Sequence, residues 1–168
     1  MSDWRMLTLV GADRPGIVAA VAKALYDNGF SLGEASMMRL GGNFTIMMMI
    51  SGPGDAEGLL APLAQEMGLR LHLFEAGGRL HSHLAPNVQV RVHGADRAGI
   101  VAQVTGALAE MGFNILELES DVAGTEQRPV YIMHIEGFCD RPIEELARAI
   151  SNLGELSLDV SPIETLIG

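Results

Sequence analysis

Polarity along this chain follows two periods. Val88, Val90 and Val92 alternate with Gln89, Arg91 and His93, which is the pattern of a strand with one buried face. Ile100, Val104 and Leu108 then recur every four residues and predict a helix that begins after Asp96. Gly112 suits the left-handed cap that would end it. Residues 113–122 and 130–135 predict two strands around the turn Gly124-Thr125-Glu126-Gln127. A second helix is predicted over 141–153, with Pro142 at an early position, and a last strand over 156–160.

The first half of the chain repeats this order. A strand is predicted over 4–10 and a helix over 15–28, with Pro15 at its first position and a stripe of Ile17, Val21 and Leu25. Residues 31–40 and 43–50 form a hairpin around Gly41-Gly42, a good tight-turn pair. A helix over 55–67 and a strand over 69–74 complete the unit. The repetition extends to the letters: GADRPGIVA at 11–19 returns as GADRAGIVA at 94–102, an offset of 83 residues. Between Gly11 and Glu34, 14 of 24 positions are identical to their counterparts, so one folding unit is present twice. The expected organisation is a domain over 1–76, a turn-rich linker over 77–86 and a second domain over 87–168. Each has the βαββαβ order of the ferredoxin-like plan, an α+β fold with an antiparallel sheet and both helices on one face.

Such a sheet needs a polar second face or a cover for it. In the second copy Gln89, Arg91 and His93 point outward, whereas the aligned residues of the first copy are Met6, Thr8 and Val10. Residues 44–50 are also apolar on both faces apart from Thr45. The N-terminal sheet is therefore expected to bury its outer face against another sheet or subunit, which makes a homo-oligomer the expected state.

Composition removes several classes of function. Apolar residues are 48% and charged residues 19% of the chain, as in a globular protein. No apolar run approaches a membrane span, the start has no signal-peptide pattern, and Cys139 is the single cysteine, so a reducing, cytoplasmic setting is expected. Net charge is −10, with six basic and eight acidic residues in 1–84 against five and thirteen in 85–168. Lys23 is the only lysine and the ten arginines are scattered, so no basic face for direct nucleic-acid contact is visible. No metal or other cofactor is expected: His81-Ser82-His83 lacks further ligands nearby, and the run Met47-Met48-Met49 cannot converge from alternating strand faces. No nucleophile motif or local Ser, His, Asp set points to an enzyme.

The chemistry that remains lies in the repeated phrase, between the first strand and first helix of each copy. Gly11 and Gly94 allow a sharp turn, and Gly16 and Gly99 leave the helix start bare. Free backbone N–H groups there, with the positive end of the helix dipole, suit a carboxylate or phosphate. Asp13 and Asp96 fit two roles, a helix cap or a partner for an ammonium, and the residues alone leave both open. Arg14 and Arg97 recur in both copies, although a cap needs no arginine. An anion site beside a cation site describes a receptor for an α-amino acid.

GADRPGIVAAVAKALYDNGFSL and GADRAGIVAQVTGALAEMGFNI resemble the opening of ACT domains, the small-molecule regulatory modules of amino-acid metabolism. The likeness covers both halves. A free-standing tandem of this length resembles the glycine cleavage system repressor group. That resemblance implies a non-enzymatic protein that binds an amino acid, with glycine the family expectation, and acts through a partner regulatory protein without touching DNA. The implied ligand-binding residues are Asp13, Arg14, Gly16, Ile17 and Ser31 in the first copy, and Asp96, Arg97, Gly99, Ile100 and Asn114 in the second. Ser31 lacks the amide that Asn114 carries, and Ala98 replaces Pro15. A pure interaction module with vestigial sites and a small enzyme using the same loop are the alternatives.

Overall fold

The computed structural model describes residues 4–76, 84–95 and 98–164. The chain divides into two compact units, Met1–Ser82 and His83–Gly168. The first contains β1 (Arg5–Ala12), α1 (Ile17–Asp27), β2 (Ser31–Leu40), β3 (Asn43–Ser51), α2 (Ala56–Glu66) and β4 (Arg70–Glu75). The second contains β5 (Val88–Ala95), α3 (Ile100–Glu110), β6 (Asn114–Thr125), β7 (Arg128–Phe138), α4 (Ile143–Ile150) and β8 (Ser157–Pro162). Each forms a four-stranded antiparallel sheet, of order β2-β3-β1-β4 and β6-β7-β5-β8. These are two ferredoxin-like βαββαβ units, in the predicted element order. Of the expected linker, residues 77–83 lie outside the described residues, as does His81-Ser82-His83; residues 84–87 carry no regular structure.

Two periodicities meet in each core. Leu7 and Leu9 of β1 and Ile46, Met48 and Ile50 of β3 pack with the α1 stripe Ile17, Val21, Leu25 and with Ala56, Leu60 and Ala64 of α2. Val88, Val90, Val92, Met133 and Ile135 pack with Ile100, Val104, Leu108, Leu146 and Ile150 in the same way. The methionine run behaves as strand residues must, with Met48 in this core and Met47 turned away and 46% exposed. Both first helices stop on the same device. Gly29 and Gly112 take φ of 78° and 74°, and the next residue returns an N–H bond to the helix, Phe30 to Leu25 and Phe113 to Leu108. This is a Schellman cap, and Phe30 and Phe113 add their rings to the two cores.

The helices start later than polarity alone indicates. Pro15 lies in the turn ahead of α1, and Pro142 is the N-cap of α4 with an extended ψ of 142°. At the first of these the cause is Gly16, which holds φ 90° and blocks helical continuity with Pro15.

Hairpin length is the main difference between the units. β2 and β3 close through Gly41-Gly42, with φ of 56° and 75°, directly after the pair Leu40↔Asn43. The corresponding pair in the second unit, judged by the residues facing Ala12 and Ala95, is Ala123↔Val130. The second hairpin continues past it through Gly124↔Pro129 and Thr125↔Arg128. It therefore projects two residue pairs beyond the end of its central strand.

The outer faces differ as the alternation predicts. Across the first sheet, Met49, Met6 and Phe74 are neighbours, as are Met38, Thr45, Val10 and Arg70. The equivalent rows of the second sheet are Glu119, His134, Arg91, Asp159 and Asp121, Ile132, His93, Ser157.

Candidate functional site

The repeated loop begins on strand, not on a turn. Gly11 and Gly94 sit inside β1 and β5, and neither has the positive φ that a sharp turn would require. They are glycines because another chain segment runs against them. A Cβ on Gly11 would stand 2.6 Å from Leu69 Cδ2, and one on Gly94 2.8 Å from Leu156 Cδ2. The turn is made by the second glycine of the phrase. Gly16 and Gly99 hold φ of 90° and 88°, and both are helix N-caps without a side-chain cap bond. A Cβ there would meet nothing within 4 Å, so it is the backbone angle that calls for glycine.

This geometry leaves donors open. The first helical bond of α1 is Ala20 N–H to Gly16 O, and that of α3 is Gln103 N–H to Gly99 O. The N–H groups of Ile17, Val18 and Ala19, and those of Ile100, Val101 and Ala102, precede the helical ladder at the positive end of each helix. The side chains of Ile17 and Ile100 are buried in the two cores, so only their backbones face the loop region.

Asp13 does not cap α1. Its backbone N–H donates to Gly42 O at 3.1 Å, which ties the loop to the hairpin turn. Its carboxylate Oδ2 meets Arg39 Nε at 2.6 Å. Arg14 is exposed. Asp96 and Arg97 lie outside the described residues. Arg39 was invisible to sequence reasoning because it is 26 positions from Asp13 in the chain and reaches it only through the short hairpin. Its register counterpart, facing Tyr131 as Arg39 faces Phe44, is Val122.

Ser31 and Asn114 are exposed and stand at the far end of their sheets from these loops. Ser31 pairs with Ser51, whereas the loop follows Ala12, which pairs with Asn43. Eight strand residues of β3 separate the two ends, about 25 Å at the rise of a strand. Asn114↔Phe138 and Ala95↔Val130 give the same separation in the second unit. The sheet therefore brings Asp13, Arg14, Gly16 and the start of α1 together and keeps Ser31 apart; Gly99 and Asn114 are parted likewise.

An open groove of about 470 Å³ lined by Met111, Glu145, Arg148, Ala149 and Asn152 lies at the end of α3 opposite to Gly99. Cys139 is buried, with its Sγ 3.6 Å from Met111 O. Among the described residues no cluster of three or more His, Cys, Asp or Glu could hold a metal ion, and no helix is long and apolar enough to cross a membrane.

Two ferredoxin-like units, each with a left-handed glycine setting open N–H groups at the start of its first helix, define a tandem of small α+β modules without an attached catalytic domain among the described residues. The chain belongs to the ACT-domain family, whose models match residues 6–73 and 88–155. It is 27% identical over 135 residues to the glycine cleavage system transcriptional repressor of Escherichia coli (strain K12), a match that covers 78% of this chain and 71% of that protein. The protein of the same description from Shigella flexneri matches to the same extent. Two crystal structures share the fold along almost the whole chain. One is an unknown protein from Galdieria sulphuraria, with TM-score 0.78 and 24% identity over 98% of this chain and 100% of that one. The other is a candidate glycine cleavage system transcriptional repressor, with TM-score 0.69 and 20% identity over 97% and 99%.

Proposed function

We propose that this protein is a non-enzymatic, cytoplasmic regulator that binds a small amino acid, glycine first among them, and thereby changes its contact with a partner protein that controls transcription of amino-acid metabolism. The observation that carries the reading is the loop preserved in both units, with its left-handed glycine, open helix-start donors and adjoining aspartate. A carboxylate fits the donors at Gly16 to Ala19 and Gly99 to Ala102, and an ammonium fits Asp13 or Asp96. The similarity to transcriptional repressors named for the glycine cleavage system supports both the ligand class and the regulatory role. The net charge of −10 supports action through a protein rather than on DNA.

Ser31 and Asn114 enter this reading differently from the loops. A free amino acid cannot span the length of a sheet. A ligand that uses both sets of residues needs the loop end of one sheet set against the Ser31 or Asn114 end of another, which links binding to assembly.

Isothermal titration against the twenty amino acids tests the reading. Binding of one of them, weakened by Asp96→Ala and Asn114→Ala by about 1.5–3 kcal/mol each in a folded protein, is the expected result. At 100 times its Kd the ligand adds about 2.7 kcal/mol of stability, read as a thermal shift. A flat titration with every amino acid favours the second reading, an interaction module with vestigial sites, which the occupation of Asp13 by Arg39 already favours for the first unit.

A further inference from the structure

We propose that Arg39 is a resident cation that keeps the first loop out of use, so that the chain senses its ligand through the loop of the second unit. This inference rests on the amino-acid reading above and narrows it to one of the two loops.

Three observations point the same way. The Asp13 carboxylate, the group an incoming ammonium would need, already holds Arg39 Nε at 2.6 Å. The pair is placed by the fold and not by neighbouring sequence. Gly41-Gly42 closes the hairpin tightly, and Gly42 O fixes the Asp13 backbone, so Arg39 on β2 stands over the loop. Second, the second unit removes that cation: the position facing Tyr131 is Val122, which has no charge to offer Asp96. Third, the residue beneath each loop changes in the complementary sense. Phe44, paired with Gly11, is buried in the first unit, whereas Tyr131, paired with Gly94, is half-buried and brings a hydroxyl to the equivalent row. The second hairpin also extends two pairs further on this side and offers the ligand a wall that Gly41-Gly42 does not.

The size of the effect follows from exposure. The Arg39 side chain is 67% exposed and that of Asp13 26% exposed, so the ion pair alone is weak and a ligand could displace it. A displaced arginine still stays on β2 beside the site and repels an ammonium. Together these effects lower affinity at the first loop by about tenfold relative to the second.

Titration of the uniformly ¹⁵N-labelled wild-type chain with glycine, and then with the other nineteen amino acids, reads both loops at once. The Gly99 and Ile100 amides are expected to shift and saturate at about one-tenth of the concentration that moves Gly16 and Ile17. Asp96→Ala, checked for folding by circular dichroism, is expected to leave only weak binding, and Arg39→Val in that background to strengthen it by about 3- to 10-fold. Saturation of Gly16 together with or before Gly99 overturns the inference while the amino-acid reading stands. Weaker binding on Arg39→Val also overturns it, since Arg39 would then be holding the ligand carboxylate. If no amino acid moves either loop, the amino-acid reading itself falls, and this inference with it.

Discussion

At the scale of single residues, the two glycines of the repeated phrase serve different physical ends. Gly16 and Gly99 are there for a backbone angle, in open space, and Gly11 and Gly94 for the near approach of Leu69 and Leu156. Gly16→Ala is therefore expected to cost about 1–2 kcal/mol through the left-handed backbone alone. Gly11→Ala is expected to cost about 1–3 kcal/mol through overpacking. Urea denaturation checks both values, and a second change, Leu69→Ala, separates them. It should relieve Gly11→Ala by opening space beside the new methyl group and leave Gly16→Ala unrelieved. The sequence showed that glycine was required at all four positions but not why. The reason for Gly11 is a strand almost sixty residues away, and nothing local to the phrase encodes it.

At the scale of elements, what was legible is what is local. The stripes Ile17, Val21, Leu25 and Ile100, Val104, Leu108, the Gly41-Gly42 turn and the Gly112 cap each depend on a few adjacent positions, and each appears where the pattern puts it. The site was less legible because its parts are set by register. Pairing of β1 with β3 sends Ser31 to the opposite end of the sheet from Asp13, and hairpin length places Arg39 over that aspartate. Register also sets a corner device that differs between the units. In the first, Arg5 donates to Gly52 O and Gly54 O at 3.1 and 3.2 Å and stacks 5.5 Å from the Phe30 ring. In the second, Asn87 does comparable work with an amide. Its Nδ2 donates to Cys139 O at 2.8 Å and its Oδ1 accepts from Cys139 N–H at 3.0 Å, which extends the β5–β7 pairing by side chain. Asn87→Ala removes both bonds and leaves two backbone groups unpaired, at a cost of about 1–3 kcal/mol. Thermal denaturation checks this, and the second unit, followed by hydrogen exchange at Cys139 and Gly137, should bear the loss.

At the scale of the whole molecule, the contrast between the sheet faces carries two expectations. The outer face of the second sheet, with Glu119, Asp121, Glu136 and Asp159, makes the chain a poor ligand for phosphate backbones. Purified protein at nanomolar concentration should leave promoter DNA unshifted at physiological salt in an electrophoretic assay, and a specific shift with no other protein present would contradict the proposed mode of action. The outer face of the first sheet carries Met6, Val10, Met38, Met47 and Phe74, of which Val10 is 39% and Phe74 52% exposed. Assembly of copies through this face is the expectation. Met6→Glu should lower the mass measured by light scattering to that of a folded monomer. Retention of the assembled mass would place the contact elsewhere, and loss of folding would make the face part of the chain's own interior.

Each core described above is drawn from one unit only, and every strand pairing closes within its own half. On the ribosome this has a temporal meaning. Once β4 has left the exit tunnel, the first unit has every strand it needs, and no pairing in it waits for residues still to be made. It can fold while the second copy of the GADR phrase is still being synthesised. A nascent chain bearing two near-identical helices thus never presents both unfolded at once, and the first cannot exchange its place with the second.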